Sequence, residues 1–479
     1  MKILFVTSEC VPYAKTGGLA DVAGSLPKAL RDIGIDARIF MPRYRAVSTD
    51  GLKEVVGGLP VPISSKTVYG RVLESTTPSG VPVYFLDQPH YFDRKDLYVE
   101  NGKDYPDNAE RFVFFSRAAV EFLRRGIFAA DVVHANDWFA GLVPVYLRTL
   151  YARDHSVNRI RTLFSIHNLA YQGIFWHYDM HLTGLPWDLF RFDKMEFFGK
   201  LNFLKGGIIF SEIVSTVSER YAQEIMTPEN GFGLDATIRK REKDLLGIIN
   251  GVDYGEWNPA TDAHIVRNYD ESSLGGKLEC KRDLQRLNNL PETDAPLLGI
   301  VSRLSDLKGS DLLEKAFDEM MSLGVQFVML GTGDEAHEKY FADVARKYPL
   351  QAGVNLSYSD AMAHKIMAGS DIFLMPSRYE PCGLTQLYAM KYGTVPVVRA
   401  VGGLADTVRE WDGAASGTGF RFDDYSAPAL LEALRRALSL HENAKAWQQI
   451  RRNGMQEDWS WNRSAGKYAE AYERALRPR

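Results

Sequence analysis

Asp371-Ile372-Phe373-Leu374-Met375-Pro376 runs through three polar and aromatic residues into Glu380-Pro381-Cys382-Gly383-Leu384-Thr385-Gln386, then Leu387-Tyr388-Ala389-Met390-Lys391-Tyr392. The first run is apolar on both faces, as a buried strand of a parallel sheet is. The last has the composition of a helix. A strand, a short loop carrying a carboxylate, and a glycine at a helix start mark the place where α/β proteins hold ligands. The helix start offers unpaired N–H groups to a phosphate. A carboxylate repels a phosphate but accepts hydrogen bonds from sugar hydroxyls, so the loop fits a ligand with a sugar at one end and a phosphate at the other. The alternative at this point is an acid that caps the helix with no ligand.

The same β/α alternation extends outward in both directions. Upstream of this loop, Leu297 to Val301, Gln326 to Leu330 and, downstream, Val395 to Val398 read as strands, and Ser310 to Leu323 reads as a helix. The N-terminal half opens β-α-β. Ile3 to Val6 is a strand; a helix follows with Leu19, Val22, Ala23, Leu26, Leu30 and Ile33 on one face, interrupted at Pro27 and ended by Gly34; Ala37 to Met41 is the next strand. Asp131 to Ala135, Arg161 to Ile166 and Ile213 to Val217 continue the series, with a helix over Phe112 to Arg125. Residues 50 to 90 give short β-like runs, and 91 to 107 read as a surface loop near the site. The pattern changes near residues 240 to 255 and then restarts, which predicts two doubly wound domains. A last helix, about Asn462 to Leu476, follows Trp459 and Trp461, which can pin a crossing back to the first domain.

With 479 residues the chain is long enough for about two to three domains, and its 45% apolar and 25% charged residues exclude a disordered or fibrous chain. A net charge of −4 gives no field for nucleic acid. Three widely spaced cysteines, Cys10, Cys280 and Cys382, form neither a disulfide framework nor a zinc pattern and fit a reducing cytosol. No apolar run approaches the roughly 18 residues of a membrane span, and the N-terminal run is too short for a signal peptide.

Polar residues recur just past the strand ends. Lys15-Thr16-Gly17-Gly18-Leu19-Ala20-Asp21 follows the first strand, and its last five residues recur as Gly402-Gly403-Leu404-Ala405-Asp406. Two such turns can approach one ligand, or be two similar strand-to-helix turns. Arg303 and Lys308, five apart in a loop after a strand, form a fork and a point charge suited to a leaving diphosphate. Asp137, His167 and Glu380 are the polar groups to place around a sugar. Two carboxylates also suit a glycosidase, but that chemistry needs no cation clamp. No D-x-D, H-E-x-x-H, cysteine cluster, G-x-x-x-x-G-K-[ST] or G-x-G-x-x-G occurs in the right setting, so no metal is expected and a nicotinamide oxidoreductase is disfavoured. A non-catalytic binding protein remains open.

Lys15-Thr16-Gly17-Gly18-Leu19-Ala20-Asp21, His134-Ala135-Asn136-Asp137-Trp138, His167-Asn168-Leu169-Ala170-Tyr171-Gln172-Gly173, Asn250-Gly251-Val252-Asp253 and Glu380-Pro381-Cys382-Gly383-Leu384-Thr385-Gln386 occur in the same order in bacterial glycogen synthases and plant starch synthases. The chain resembles that family over essentially its whole length. The resemblance implies an α/β, GT-B fold: two doubly wound Rossmann-like domains facing a central cleft, residues 1–245 on the acceptor side, 246–460 on the nucleotide-sugar side, and 461–479 as a helix crossing back. It implies a cytoplasmic hexosyltransferase moving glucose from ADP-glucose, with retention, to the non-reducing 4-OH of an α-1,4-glucan, with no cofactor, metal, nucleic acid or membrane. It sets Lys15, Gly17, Gly18 and Asp21 at the donor and Asp137 and His167 along the glucose and acceptor. Arg303 and Lys308 would hold the diphosphate and Glu380 the glucose hydroxyls. Gly383, Leu384, Thr385, Gly402 and Gly403 would meet the phosphates, Tyr358 would stack on adenine, and Asn250 and Cys382 belong to the nucleotide-side motifs. Three positions depart from the family: Leu307 where Gln is usual, Asn136 for a second His, and Ser357 for Gly. The last leaves ADP-glucose against UDP-glucose open, and the sequence gives no oligomeric state.

Overall fold

The computed structural model describes residues 1–100, 102–413 and 416–477. Asn101, within the expected 91–107 loop, and Pro478 and Arg479, within the expected last segment, lie outside the described residues. The chain divides into two compact units, Met1–Gly251 with Trp461–Arg479, and Val252–Ser460.

The first unit holds a nine-stranded sheet of β1 (Lys2–Val6), β2 (Asp36–Pro42), β3 (Lys53–Ile63), β4 (Lys66–Thr76), β5 (Pro82–Asp87), β6 (Val132–Asn136), β7 (Arg161–Ile166), β8 (Ile213–Thr216) and β9 (Leu245–Gly247). Their order is β9-β8-β7-β6-β1-β2-β5-β4-β3. The six strands from β9 to β2, and the β2–β5 pair, are parallel; β3 and β4 form an antiparallel hairpin on the edge. The chain leaves β1 toward β2 on one side and later returns to β6 on the other, so the switch point lies between β1 and β6. The division at Gly251/Val252 lies within the stretch of residues 240 to 255 where the sequence pattern changes, six residues past the 1–245 limit that the resemblance implied; Leu245–Gly247 pairs in register with Val214–Thr216 and so belongs to the first sheet.

Helix α1 (Gly18–Asp32) passes through Pro27 as one element, contrary to the expected interruption. The pyrrolidine removes one N–H, and a buried face of Leu19, Val22, Ala23, Leu26 and Leu30 offsets that loss. Helix α2 (Asn108–Arg124) is buried along nearly its whole length. The 91–107 segment is exposed or half-buried over most of its described residues, as expected of a surface loop, but is anchored inward at a few points. Tyr91, Phe92 and Tyr105 are buried, and the fully buried Arg111 donates to Tyr91 O at 2.8 Å, Leu97 O at 2.9 Å and Asn108 Oδ1 at 2.7 Å. A buried guanidinium must spend its donors this way.

The second unit is a six-stranded, wholly parallel sheet of β10 (Leu297–Val301), β11 (Gln326–Leu330), β12 (Ala352–Asn355), β13 (Ile372–Met375), β14 (Val395–Arg399) and β15 (Phe420–Phe422). The order is β12-β11-β10-β13-β14-β15, with a switch point between β10 and β13. Two buried clusters, one including Leu298, Phe317, Ile372 and Leu434 and the other Leu284, Val328, Phe373 and Tyr392, explain why each strand is apolar on both faces. The helices used below are α3 (Ser310–Ser322), α4 (Asp360–Gly369), α5 (Thr385–Lys391) and α6 (Gly402–Thr407).

The last helix, α7 (Trp461–Leu476), packs in the first unit. Tyr472 hydroxyl meets His134 Nδ1 at 2.8 Å. Gly251 is required at this crossing, since a Cβ there would lie 2.5 Å from Trp461 Cα. Trp459 stays with the second unit, its carbonyl accepting Val252 N–H at 2.7 Å.

Candidate active site

In the first unit the carboxyl ends of the adjacent strands β7, β6 and β1 bring together His167, Asp137 and Glu9. Asp137 has φ +50 and ψ −174, a region that a non-glycine residue adopts only when its surroundings hold it there. Its N–H is bound to Ser165 O at 2.9 Å, and its Oδ1 accepts His167 N–H at 2.8 Å. Burial pushes the Asp137 carboxyl up to about 7, against the hydrogen bonds it accepts from the backbone of His167 and Asn168. Burial pushes the His167 imidazole down to about 4, so it is neutral at pH 7. Asn136 Nδ2 donates to Val6 O at 3.1 Å and His134 O at 3.2 Å, leaving its Oδ1 to face His167 Nε2 at 2.9 Å. That network assigns the proton to Nε2 and leaves Nδ1 as an acceptor. Asn136, one of the three departures, thus has a positive role: it sets the His167 tautomer.

Glu9 was not singled out from the sequence. Its buried carboxylate accepts the N–H of Thr16, the hydroxyl of Thr16 at 2.6 Å and the N–H of Gly17 at 3.3 Å, and Tyr98 hydroxyl donates to it at 2.8 Å. An acid three residues past the end of β1 was the available signal. Gly17 has ordinary extended dihedrals, and a Cβ on Gly17 or Gly18 would meet nothing within 4 Å. No packing reason demands glycine there, so the reason is open space beside the backbone. Lys15 is ion-paired with Asp21 at 2.7 Å and half-exposed. Asn250 is buried, with an Oδ1 that has no protein partner among the described residues.

In the second unit the carboxyl ends of β10, β13 and β14, again adjacent, converge. Lys308 Nζ donates to Glu380 Oε2 at 2.6 Å, with Lys308 about a third exposed and Glu380 buried, and Ser377 hydroxyl donates to the same oxygen at 3.2 Å. Glu380 is therefore the counter-ion of the clamp lysine and not a helix cap; the residue at the start of α5 is Leu384, with no side-chain cap bond. The two loops are zipped by backbone. Leu307 O accepts the N–H groups of Arg378 at 3.0 Å and Tyr379 at 3.3 Å, and a Cβ on Gly309 (φ +85) would sit 2.2 Å from Pro376 O. Because position 307 contributes its carbonyl, Leu in place of Gln leaves that scaffold intact. Arg303 is exposed, and its guanidinium has no ion pair or hydrogen bond among the described residues.

The second glycine pair differs from the first. Gly402 has φ +44, a Cβ on it would lie 2.0 Å from Glu380 O, and one on Gly403 would lie 2.1 Å from Cys382 O. Gly403 N–H donates to Pro381 O at 3.1 Å. These glycines let α6 press against the Glu380 loop, and the Gly403 N–H is engaged by backbone in this structure. Gly383 (φ +72) turns the chain into α5, Thr385 hydroxyl faces Met375 Sδ at 3.4 Å, and the Cys382 thiol is buried. Tyr358 is 82% exposed just before α4, an aromatic face open to a planar base, and Ser357 has no left-handed φ that would call for glycine.

Residues 2–240 match the family model described as starch synthase catalytic domain, and residues 281–454 match that of glycosyl transferases group 1. The chain is 46% identical over 480 residues to a glycogen synthase of Koribacter versatilis (strain Ellin345), covering 100% of this chain and 99% of that one. It is 47% identical over 481 residues to a glycogen synthase of Anaeromyxobacter dehalogenans (strain 2CP-C), with full coverage of both. Among solved structures, the catalytic domain of starch synthase IV from Arabidopsis thaliana bound to ADP and acarbose superposes with a TM-score of 0.90 at 34% identity over 99% of each chain. A sucrose-phosphate synthase from Thermosynechococcus elongatus, at 17% identity and a TM-score of 0.62 over 98% of each chain, shares the fold.

Proposed function

The chain belongs to the family of bacterial glycogen synthases and plant starch synthases, and from this premise we propose that it transfers glucose from ADP-glucose, with retention, to the non-reducing 4-OH of an α-1,4-glucan. It is a glycosyltransferase of GT-B fold. The observation that carries the finer reading is the Lys308–Glu380 pair at the switch point of the second sheet, with Arg303 exposed in the same loop as Lys308. As the anomeric C–O bond breaks, negative charge builds on the diphosphate. Arg303, which has no counter-ion of its own, and Lys308 offset that charge. Glu380 accepts hydrogen bonds from the glucose, and its charge, paired with Lys308 before the donor arrives, keeps the lysine in place.

In the first unit, Asp137 and His167 are the polar pair. A neutral imidazole with Nδ1 free, and a carboxyl at about 7, suit hydrogen bonds to hydroxyls without a fixed charge. The acceptor oxygen bonds to the anomeric carbon on the face the diphosphate leaves, and its proton passes to the departing phosphate oxygen. Tyr358 takes the adenine, and the open backbone at Gly17 and Gly18 lets the donor approach Lys15. No metal is assigned to this step, and the location is proposed as cytoplasmic; no described helix is long and apolar enough to cross a membrane.

The test is incubation with ADP-glucose labelled in the glucose and glycogen as primer. Labelled glucan that α-1,4-specific hydrolysis releases is expected, with UDP-glucose a much poorer donor. Binding of both substrates with no label in glucan would establish the non-catalytic alternative.

A further inference from the structure

One cluster in the second unit takes no part in the chemistry above. His264, Asp360 and His364 each bring a ligand atom within 4.8 Å of the others. His364, on α4, is 1% exposed, and its ring is held on one face and at Nδ1. Trp257 stacks on it at 3.8 Å between ring centres, nearly parallel, and Trp257 in turn stacks on Tyr388 at 4.0 Å. Its Nδ1 lies 2.8 Å from Asp262 Oδ2. That same oxygen accepts Tyr392 hydroxyl at 2.6 Å, and Asp262 Oδ1 accepts His264 N–H at 2.8 Å.

With Nδ1 committed to the carboxylate, Nε2 is the nitrogen left, and it is buried with no hydrogen-bond partner among the described residues. A buried polar atom left unpaired is costly and calls for an explanation. A carboxylate on one ring nitrogen, with the other nitrogen open, is how proteins orient and activate a metal-binding histidine. His264 and Asp360 are exposed, so they can rotate to close the remaining distance. Two atoms bound tetrahedrally at about 2.1 Å are about 3.4 Å apart.

We propose that His264, Asp360 and His364 form a binding site for a zinc-class divalent cation, with Asp262 as the outer carboxylate that orients His364. Two imidazoles and one carboxylate match the donor set of zinc and leave a fourth position to water. The ion would tie the 257–264 segment to the first turn of α4, which begins two residues after Tyr358. Its role is to hold that turn in place, not to take part in glucose transfer.

The experiment uses the full chain, without a histidine tag, stripped by chelator and titrated with Zn²⁺ against a chromophoric competitor. One equivalent of zinc per chain and a raised unfolding temperature are expected. His264→Ala and Asp360→Asn, both at exposed positions, should each weaken binding at least tenfold, and Asp262→Asn tenfold to a hundredfold. Co²⁺ in place of zinc should give the visible absorption of a tetrahedral N/O site in the native chain, lost in His264→Ala. Absence of a stoichiometric site, or equal zinc uptake by native chain and the His264→Ala/Asp360→Asn variant, overturns the proposal. Glucose transfer at moderate temperature should be the same in stripped and zinc-loaded protein; a stripped protein without activity refutes the holding role.

Discussion

Replacing Lys308 by Met removes the ammonium while keeping most of the stem. Two costs follow, and the structure separates them. Removing one member of a fully buried ion pair costs about 3–5 kcal/mol because the other charge is stranded, whereas an exposed pair is worth about 0–1 kcal/mol. Lys308 is 32% exposed and Glu380 only 7%. Ser377 still donates to the carboxylate. The stability loss is therefore placed between the two, at about 2 kcal/mol. The catalytic loss is larger. The ammonium offsets charge that develops on the diphosphate, so its removal resembles losing one oxyanion donor, about 3 kcal/mol, or about a hundredfold in kcat. The assay is initial-rate glucose incorporation under saturating donor, with denaturant unfolding run in parallel. Lys308→Met/Glu380→Gln should recover most of the stability and none of the turnover. Arg303→Ala, at an exposed and unpaired position, should unfold like the native chain yet lose turnover on the same scale. Turnover of Lys308→Met within tenfold of native, or recovery of rate and stability together in the double variant, would show the pair to be a strut and refute the clamp.

The glycine pairs predict opposite behaviour: Gly18→Ala should keep the native unfolding temperature, since a Cβ there meets nothing within 4 Å, but raise KM for the donor, whereas Gly402→Ala should unfold well below native, with its Cβ 2.0 Å from Glu380 O. Asp137, raised to about 7, and His167, lowered to about 4, act in opposite senses on stability. The folded Asp137 holds a proton that the unfolded chain has lost, so its contribution falls as pH rises from about 4 to 7; the folded His167 lacks a proton that the unfolded chain carries, so its contribution is lost as pH falls from about 6.5 to 4. Asp137→Asn removes the first effect, and its stability relative to native should rise between pH 4 and 7 by up to about 1.4 kcal/mol per pH unit; a flat difference in thermal unfolding across that range would contradict the buried carboxyl. Exhaustive chelation should leave the rate of glucose transfer unchanged at moderate temperature, and a loss restored by magnesium or manganese would show that the transfer step uses a divalent ion.

The sequence by itself determined the class of the fold and the location of its sites. Strands apolar on both faces require helices on both sides of a parallel sheet, and in such sheets polar loops at the carboxyl ends carry the ligands. Glu380, Arg303, Lys308, Asp137 and His167 are legible on those grounds, because each follows a strand. Only the tertiary structure decided which of them meet. Strand order makes β10 and β13 neighbours, and so brings Lys308 onto Glu380, 72 positions further along the chain. It also gives two glycine pairs of the same sequence different work. Gly17 and Gly18 border open space, while Gly402 and Gly403 are pressed against the Glu380 loop, a contrast that lies in their neighbours and not in the repeated residues. Arg111 and the His264–Asp360–His364 cluster were hidden for one reason. Each is defined by partners that local periodicity does not encode, such as a backbone carbonyl, a buried ring nitrogen or a residue about 100 positions away, and these are set when long-range packing closes the core.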